Sequence, residues 1–227
     1  MTYLELVNKV LLRLRETEVT TVQGSGTSNQ YARLIGEFVN DAKAEVETAT
    51  DWSALRTTLT LTTASGIFNY ELNGTGNNFK VLDVINDTSD FVMQYKDAAW
   101  FNQIYLTATP ETGAPMFYNF NGVSSDGDTQ VDLYPKPDGV YSTRFNVTLR
   151  NAALSADADT VVIPTRPIIL LATAKAIEER GEDGGQQSMN AYAAYRSVLA
   201  DEIALDSARH PEDSIWYPAW NNYKTSL

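Results

Sequence analysis

The sequence contains no cysteine and only one histidine, His210, among its 227 residues. The lack of cysteine excludes disulfides and thiolate metal sites, and a single histidine removes most metal-binding and catalytic-triad arrangements. We therefore predict a protein that is not an enzyme and that has no metal site and no cofactor. His210 stands directly before Pro211, where an imidazole typically caps the end of a helix.

Basic residues are also few, with 17 Lys and Arg against 29 Asp and Glu, which gives a formal net charge of -12. This charge repels phosphate and argues against general binding to nucleic acids or anionic membranes. No run approaches the roughly 18 apolar residues of a membrane span, and the N-terminus lacks the apolar core of a signal peptide. We expect a protein that stays in a cytosol-like compartment and whose partners are proteins.

Helical periodicity begins at the N-terminus. Thr2 and Glu5 have the spacing of a capping box, and apolar residues then recur on one stripe, which predicts a first helix over residues 2–15. Thr27 supplies a second capping signal before another apolar stripe that ends near Thr50. The N-terminal part of the chain is therefore predicted to be a pair of helices.

A second helical region follows Pro164. Thr165 is the expected cap of its first helix, and Gly181 is the expected end. The last helix is predicted to begin after Gly185 and to bury one apolar stripe, formed by Met189, Tyr192, Tyr195, Leu199 and Ile203.

The region between the two helix pairs has the alternation of β-strands. Residues 55–61 alternate strictly, and a short turn at residues 64–66 predicts a hairpin with residues 67–72. A short helical segment is expected over residues 98–105, and Asp126-Gly127-Asp128 is interpreted as a hairpin turn rather than a calcium loop. The further candidate strands are residues 80–85, 91–95, 116–120, 130–134 and 142–150.

The element order predicts an α+β fold. In it the N- and C-terminal helix pairs form a four-helix module, which carries an inserted antiparallel β-sandwich or barrel-like domain and an extended C-terminal tail. The predicted boundaries are residues 1–52 and 164–207 for the two helix pairs, 53–163 for the β-domain and 208–227 for the tail.

This order, in a cysteine-free chain of this size, resembles the head-to-tail adaptor or connector proteins beneath the portal of tailed bacteriophages. It looks like the podovirus group that includes the tail tubular protein A type. The residues that carry the resemblance are the opening Thr2-Tyr3-Leu4-Glu5-Leu6-Val7-Asn8, the aspartate-bearing end of helix two that runs into Trp52, and Ile163-Pro164 before the helix with Ala172, Ala174 and Ala176.

The resemblance implies a ring-forming structural protein, made in the host cytoplasm and located in the virion at the head-tail junction. A homo-oligomeric ring of about twelve subunits would sit between the portal protein and the tail tube or nozzle protein. Double-stranded DNA would pass through its central channel without specific binding. The C-terminal segment would dock on the portal.

The tail is where the sequence itself points to a partner, because large apolar side chains follow the last helix without a periodic pattern to pack them. They are predicted to form the portal interface, although they could instead fold back on their own helical module. The residues are Ile215, Trp216, Tyr217, Trp220 and Tyr223.

Two other classes of function stay open at the level of sequence. A β-sandwich binding module for carbohydrate or protein, on a phage fibre or baseplate, would be supported by a surface row of Tyr118, Phe120 and Tyr134. A hydrolase would need paired carboxylates, for which Asp83 and Asp132 are candidates.

The arginines form the main clusters of positive charge. We expect them to pair with acidic neighbours within or between subunits, and a minority interpretation places some of them against DNA in the channel. They are Arg13, Arg15, Arg33, Arg144 and Arg150.

Overall fold

The computed structural model describes residues 1–24, 27–76, 78–107, 109–181 and 185–209, without the side chains of residues 27, 28, 106 and 107. None of the helices in these ranges is long and apolar enough to cross a membrane. Five α-helices are present in the described residues: α1 (Tyr3–Arg13), α2 (Thr27–Ala49), α3 (Ala98–Thr107), α4 (Thr165–Arg180) and α5 (Gln186–Ser207).

The capping box of α1 is confirmed. The Glu5 N–H donates to Thr2 Oγ1 at 3.2 Å, and the Thr2 N–H donates to Glu5 Oε2 at 2.9 Å. These bonds satisfy two N–H groups that the first turn of a helix otherwise leaves without partners. The cap predicted for α4 is wrong, because Pro164 occupies the cap position and Thr165 is already the first helical residue.

One hydrophobic core is shared by α1, α2 and α4, with Tyr195 of α5 and Trp52 among its buried members. Helices α1 and α2 approach closely at Gly36, where an added Cβ would lie 2.1 Å from the Tyr3 hydroxyl. The predicted stripe of α5 is only partly correct. Tyr195 is buried, whereas the side chain of Met189 is 68% exposed because α5 packs mainly on α4 and leaves its outer side to solvent.

Eight strands form two four-stranded sheets in the described residues. The first sheet has the order β1-β8-β3-β4 and the second the order β2-β7-β6-β5. Their bounds are β1 (Arg56–Thr62), β2 (Asn69–Leu72), β3 (Phe79–Asn86), β4 (Phe91–Val92), β5 (Gln94–Tyr95), β6 (Phe117–Val123), β7 (Thr129–Tyr134) and β8 (Ser142–Leu149).

The two sheets contribute to one core, so the sandwich interpretation holds and the barrel alternative is wrong. Phe145 and Val147 of β8 are fully buried, as the alternation of that strand predicts. The ring of Phe145 meets that of Tyr118, from the other sheet, at a centroid distance of 5.9 Å.

The predicted hairpin between residues 55–61 and 67–72 is wrong. Strand β1 pairs with β8, whereas β2 pairs with β7 in the other sheet. The connection crosses between the sheets because it bonds to a distant segment: the Thr63 N–H donates to Tyr141 O, and the Gly66 N–H donates to Pro137 O. A local turn signal cannot reveal such partners.

The predicted strand over residues 91–95 is divided between the sheets at Met93. Val92 pairs with Ile85 of the first sheet, and Gln94 pairs with Phe117 of the second. Met93 is buried in the sandwich core between them. Because β5 and β6 run parallel, the second sheet is mixed, and the prediction of a purely antiparallel domain is corrected at this edge.

Candidate functional site

The predicted portal interface, Ile215, Trp216, Tyr217, Trp220 and Tyr223, lies outside the described residues, as does His210. The structure does describe where that segment begins, since α5 ends at Ser207 and the described chain continues to Arg209. The contacts of this last turn are therefore the last ones described before the tail residues 208–227 pass out of the described range at residue 210.

Asp206 fixes the end of α5 to the residues that directly precede β1. Its carboxylate accepts from the Ser53 N–H at 2.9 Å and from the Ser53 hydroxyl at 2.6 Å. Ser53 is the first residue of a 3-10 helix, Ser53–Leu55, that leads into β1. Asp206 thus acts as a cap supplied from a distant helix, while Arg209 Nη1 lies 3.4 Å from the Ser53 hydroxyl.

Trp52 fixes the position of Ser53, the residue that Asp206 caps. Its side chain is fully buried, and its indole N–H donates to Val46 O at 2.7 Å. The adjacent Ser53 therefore has a fixed position relative to α2. The bonds between Asp206 and Ser53 are therefore linked through Trp52 to the hydrophobic core of the helices.

A buried ion pair lies where α2 meets the segment after β8. Lys43 Nζ is 3.0 Å from Glu47 Oε1 and donates to the backbone oxygens of Asn151, at 2.8 Å, and Ala152, at 3.0 Å. Both charged residues are at most 5% exposed. Burial raises the pKa of the Glu47 carboxyl, and the charge of Lys43 opposes that increase.

Two cavities open beside this ion pair, with volumes of about 310 and 250 Å³. Glu47 and Arg150 line both of them, and Lys43 lines the larger. Charges of both signs are mixed in the smaller cavity, which Glu47 and Asp51 line together with Lys80 and Arg150. Among the described residues, no group of three or more His, Asp or Glu side chains could hold a metal ion.

Exposed apolar side chains gather at the ends of the strands remote from the helices. In the first sheet, Phe79 of β3 pairs with Leu149 near the helical region, whereas Asn86 pairs with Thr143 at the far end. Exposed apolar residues at this end are available for contact with a partner protein. The residues at this far end are Ile67 (49% exposed), Val92 (65%), Tyr95 (56%), Met116 (48%) and Val140 (70%).

The aromatic row expected of a carbohydrate-binding module is not on the surface. Tyr118 and Tyr134 are buried, and Phe120 packs against the sandwich core. The sequence did not reveal that α3 covers the face of the second sheet that bears Phe117 and Tyr134, whose ring centroids lie 5.1 and 5.6 Å from that of Trp100 in tilted and edge-on arrangements. The three rings therefore serve packing.

The paired carboxylates expected of a hydrolase are not paired. Asp83 belongs to β3 of the first sheet and accepts from the Asn146 side chain at 2.6 Å. Asp132 belongs to β7 of the second sheet and accepts from the Asn69 side chain at 2.6 Å. Each carboxylate is thus engaged with an asparagine of its own sheet.

The pairing predicted for five arginines is confirmed for Arg144, and the turn predicted at residues 126–128 is confirmed. Arg144 pairs with an acidic neighbour in the same chain, Asp87, at 2.8 Å. Asp126-Gly127-Asp128 lies in the turn between β6 and β7, which pair as a hairpin. The Asp128 carboxylate accepts from the N–H groups of Gly74 and Gly76, which lowers its pKa.

A last helix bonded to the entry of β1 and exposed apolar residues at the far ends of the strands are features expected of a protein that connects other proteins. The comparison with protein families agrees with this class. The chain belongs to the SU10 adaptor protein family, whose model matches residues 1–217. No match was found among the curated proteins. Family membership supports a structural phage adaptor that associates with other components of the phage particle.

Proposed function

We propose that this protein is a head-to-tail adaptor of the tail tubular protein A type, located at the head-tail junction of the virion. Subunits assembled in the host cytoplasm form a ring between the portal and the tail tube or nozzle, and DNA passes through the central channel. The observation that carries the proposal is the SU10 adaptor match over residues 1–217, which includes Ile215, Trp216 and Tyr217 of the tail.

In this proposal residues 1–52 and 164–207 act together as a four-helix module, and residues 53–163 form a separate β-domain. The shared core of α1, α2 and α4, with Tyr195 of α5, supports the first part. The separate core of the two sheets supports the second. The module forms the annulus through contacts between unlike surfaces of neighbouring subunits, a geometry that closes into a ring when the rotation allows it. The number of subunits is proposed to be about twelve.

The tail residues 208–227 dock on the portal. Asp206 supports this role because it fixes the end of α5 and so gives every subunit the same point of departure for its tail. In a closed ring, tails that leave from equivalent positions bind together, which raises their effective concentration at the portal. The far end of the β-sandwich, with Val92 and Tyr95 exposed, contacts the tail tube or nozzle.

The test is co-sedimentation with purified portal rings. The full chain is compared with a chain that ends at Arg209 and with the double variant Trp216→Ala/Trp220→Ala. A matched control is the double variant Asn221→Ala/Asn222→Ala, which changes polar residues of the same segment. We expect the shortened chain and the tryptophan variant to lose binding and the control to keep it. Equal binding by all four proteins would remove the portal-docking role of the tail.

A further inference from the structure

The outer face of α1 carries basic residues around an exposed leucine. Lys9 and Arg13 are exposed one helical turn apart, and Leu12, on the same face, is 62% exposed. Glu5, at the start of this face, is bonded to the Thr2 N–H in the capping box. Neither Lys9 nor Arg13 forms an ion pair with a residue that the structure describes. The centre of this face is therefore basic, although the chain as a whole has a net charge of -12.

The outer face of α2 has the opposite charge. Glu37 and Asp41 are exposed, also one turn apart, and exposed Glu45 follows after another turn. Glu45 is paired with Lys175 of α4 at 2.6 Å. Within the part of the chain that the structure describes, Glu37 and Asp41 form no ion pair. Arg33 is exposed one turn before Glu37, so the acidic part of this face begins at Glu37.

The core of the helices turns both charged faces toward solvent. Helix α1 buries the opposite side of its surface, with Val7 and Val10 fully buried, and α2 does the same with Val39 and Val46. Two faces that point away from the core they share cannot pack against each other within one subunit. A contact between these two faces therefore requires two copies of the chain.

We infer that α1 of one subunit packs on α2 of its neighbour, with Lys9 and Arg13 against Glu37 and Asp41. The two basic residues are four positions apart, as are the two acidic residues, and four positions along a helix correspond to about 6 Å. Two ion pairs can therefore form together, whether the helices run parallel or antiparallel. Leu12 gains burial in the same contact.

This contact joins unlike surfaces, so each subunit uses α1 toward one neighbour and α2 toward the other. Contacts of this kind generate a ring when the rotation closes. The inference rests on the proposed ring and names the surfaces that form it. It also accounts for how copies with a net charge of -12 can associate, because charges of one sign then meet the other sign across the contact.

The contact should be weak in free subunits. Exposed ion pairs contribute little individually and are screened by salt. Helix α1 has only 11 residues, which limits the area that it can bury. We therefore expect association that requires concentrated protein, decreases with added salt and is strengthened when several copies are held on one portal.

Zero-length crosslinking tests the contact in the full chain. A carbodiimide joins an amine directly to a carboxylate that it contacts, so Lys9 should become linked to Glu37 or Asp41. Unlabelled chain is mixed with chain carrying a heavy isotope, because a linked peptide with one half from each can form only between copies. Lys9→Arg keeps the charge but has no amine for this reaction, and it should abolish the linked peptide without abolishing association. If concentrated protein gave no mixed-isotope peptide that contains Lys9 and either carboxylate, the inference would be wrong.

Charge reversal gives an independent measurement by sedimentation velocity at low salt. Lys9→Glu/Arg13→Glu makes both faces acidic, and Glu37→Lys/Asp41→Lys makes both basic. Each variant alone should lose association, because every contact then brings like charges together. An equimolar mixture should recover it, since alternating copies place opposite charges at every contact. Association of either variant alone, or a mixture that stays monomeric, would contradict the inference.

Matched controls reverse exposed charges on α4 and α5. Arg166→Glu/Arg196→Glu and Glu179→Lys/Asp201→Lys change the net charge by the same amounts as the test variants, and all four residues are exposed. Both controls should associate like the original chain. Loss of association in the controls would assign the contact to α4 and α5, or to net charge, and would overturn the inference.

Two further outcomes separate the possible partners of α1 and the two proposals. If Lys9→Glu/Arg13→Glu kept self-association but lost retention on double-stranded DNA, the basic face would belong to DNA and the inference would fail. If the original chain associated through α1 and α2 but did not sediment with portal rings, the contact between copies would stand and the portal-docking proposal would fail.

Discussion

The carboxylate of Asp206 caps Ser53, a residue 153 positions earlier in the chain, through bonds of 2.9 Å from its N–H and 2.6 Å from its hydroxyl. One contact therefore joins the end of the last described helix to the entry of strand β1. Hydrogen bonds to a charged acceptor are stronger than neutral ones and are geometrically specific. This contact therefore stabilises the fold and fixes the orientation of the end of α5 relative to Ser53.

We predict that Asp206→Ala lowers the free energy of unfolding by about 1–3 kcal/mol, because the Ser53 N–H and hydroxyl lose a charged acceptor. Urea unfolding followed by circular dichroism measures the effect. Asp201→Ala is the control, since Asp201 is exposed on the same helix, and it should change stability by less than about 0.5 kcal/mol. Equal losses in the two variants would show that the cap has no special role.

Lys43 should be the costlier of the two charges to remove from the buried pair. Lys43→Met leaves the Glu47 carboxylate buried beside unpaired backbone oxygens, and breaking a buried pair from one side costs about 3–5 kcal/mol. The double variant Lys43→Met/Glu47→Leu should lose less than the single variant. Urea unfolding of the four proteins gives the coupling energy, and strict additivity would contradict this account.

Asp128 should make stability depend on pH. Its folded pKa is lowered by the N–H groups of Gly74 and Gly76, so its ionised form stabilises the fold above the pKa of the unfolded chain, about 4. That stability is lost as the pH falls through the lower folded pKa. Asp128→Asn should therefore lower Tm at pH 7, and the difference from the original chain should shrink at acidic pH.

Asp126→Asn is the control for this prediction, because it makes the same change of charge in the same turn. Asp126 is exposed, and its carboxylate lies 3.5 Å from the neighbouring Ser125 hydroxyl, without a bond to Gly74 or Gly76 among the described contacts. Thermal unfolding between pH 7 and pH 3 distinguishes the two variants. If both showed the same dependence on pH, the effect would come from net charge and not from the bonds to Gly74 and Gly76.

The sequence predicted the features that depend on near neighbours. The capping box of Thr2 and Glu5 and the turn at residues 126–128 involve residues at most four positions apart, so their spacing is readable from the chain. The alternation of Phe145 and Val147 likewise predicted their burial, because strand period alone decides which face they share.

The failures come from contacts between distant residues. The turn at residues 64–66 has the composition of a hairpin and closes locally through the Ile67 N–H and Ala64 O, but the Gly66 N–H donates to Pro137 O and the preceding Thr63 N–H to Tyr141 O. Asp206 in the last helix looks like one more surface carboxylate until Ser53 is placed beside it. The contact between Asp206 and Ser53 was therefore not predictable, although the aromatic composition of residues 208–227 was visible in the sequence.

Gly36 is predicted to be a position in the helical core where the addition of a single methyl group lowers stability. A Cβ at residue 36 would lie 2.1 Å from Tyr3 Oη, 3.1 Å from Tyr3 Cζ and 3.3 Å from a methyl group of Val22, and Tyr3 is only 2% exposed. Gly36→Ala should therefore destabilise the fold by about 1–3 kcal/mol through overpacking, despite the better helix propensity of alanine. Gly139→Ala, whose Cβ would meet nothing within 4 Å, should be close to neutral in the same urea titration. Adding Tyr3→Phe removes the nearest atom and should recover part of the loss, whereas a loss unaffected by Tyr3→Phe would place its cause elsewhere.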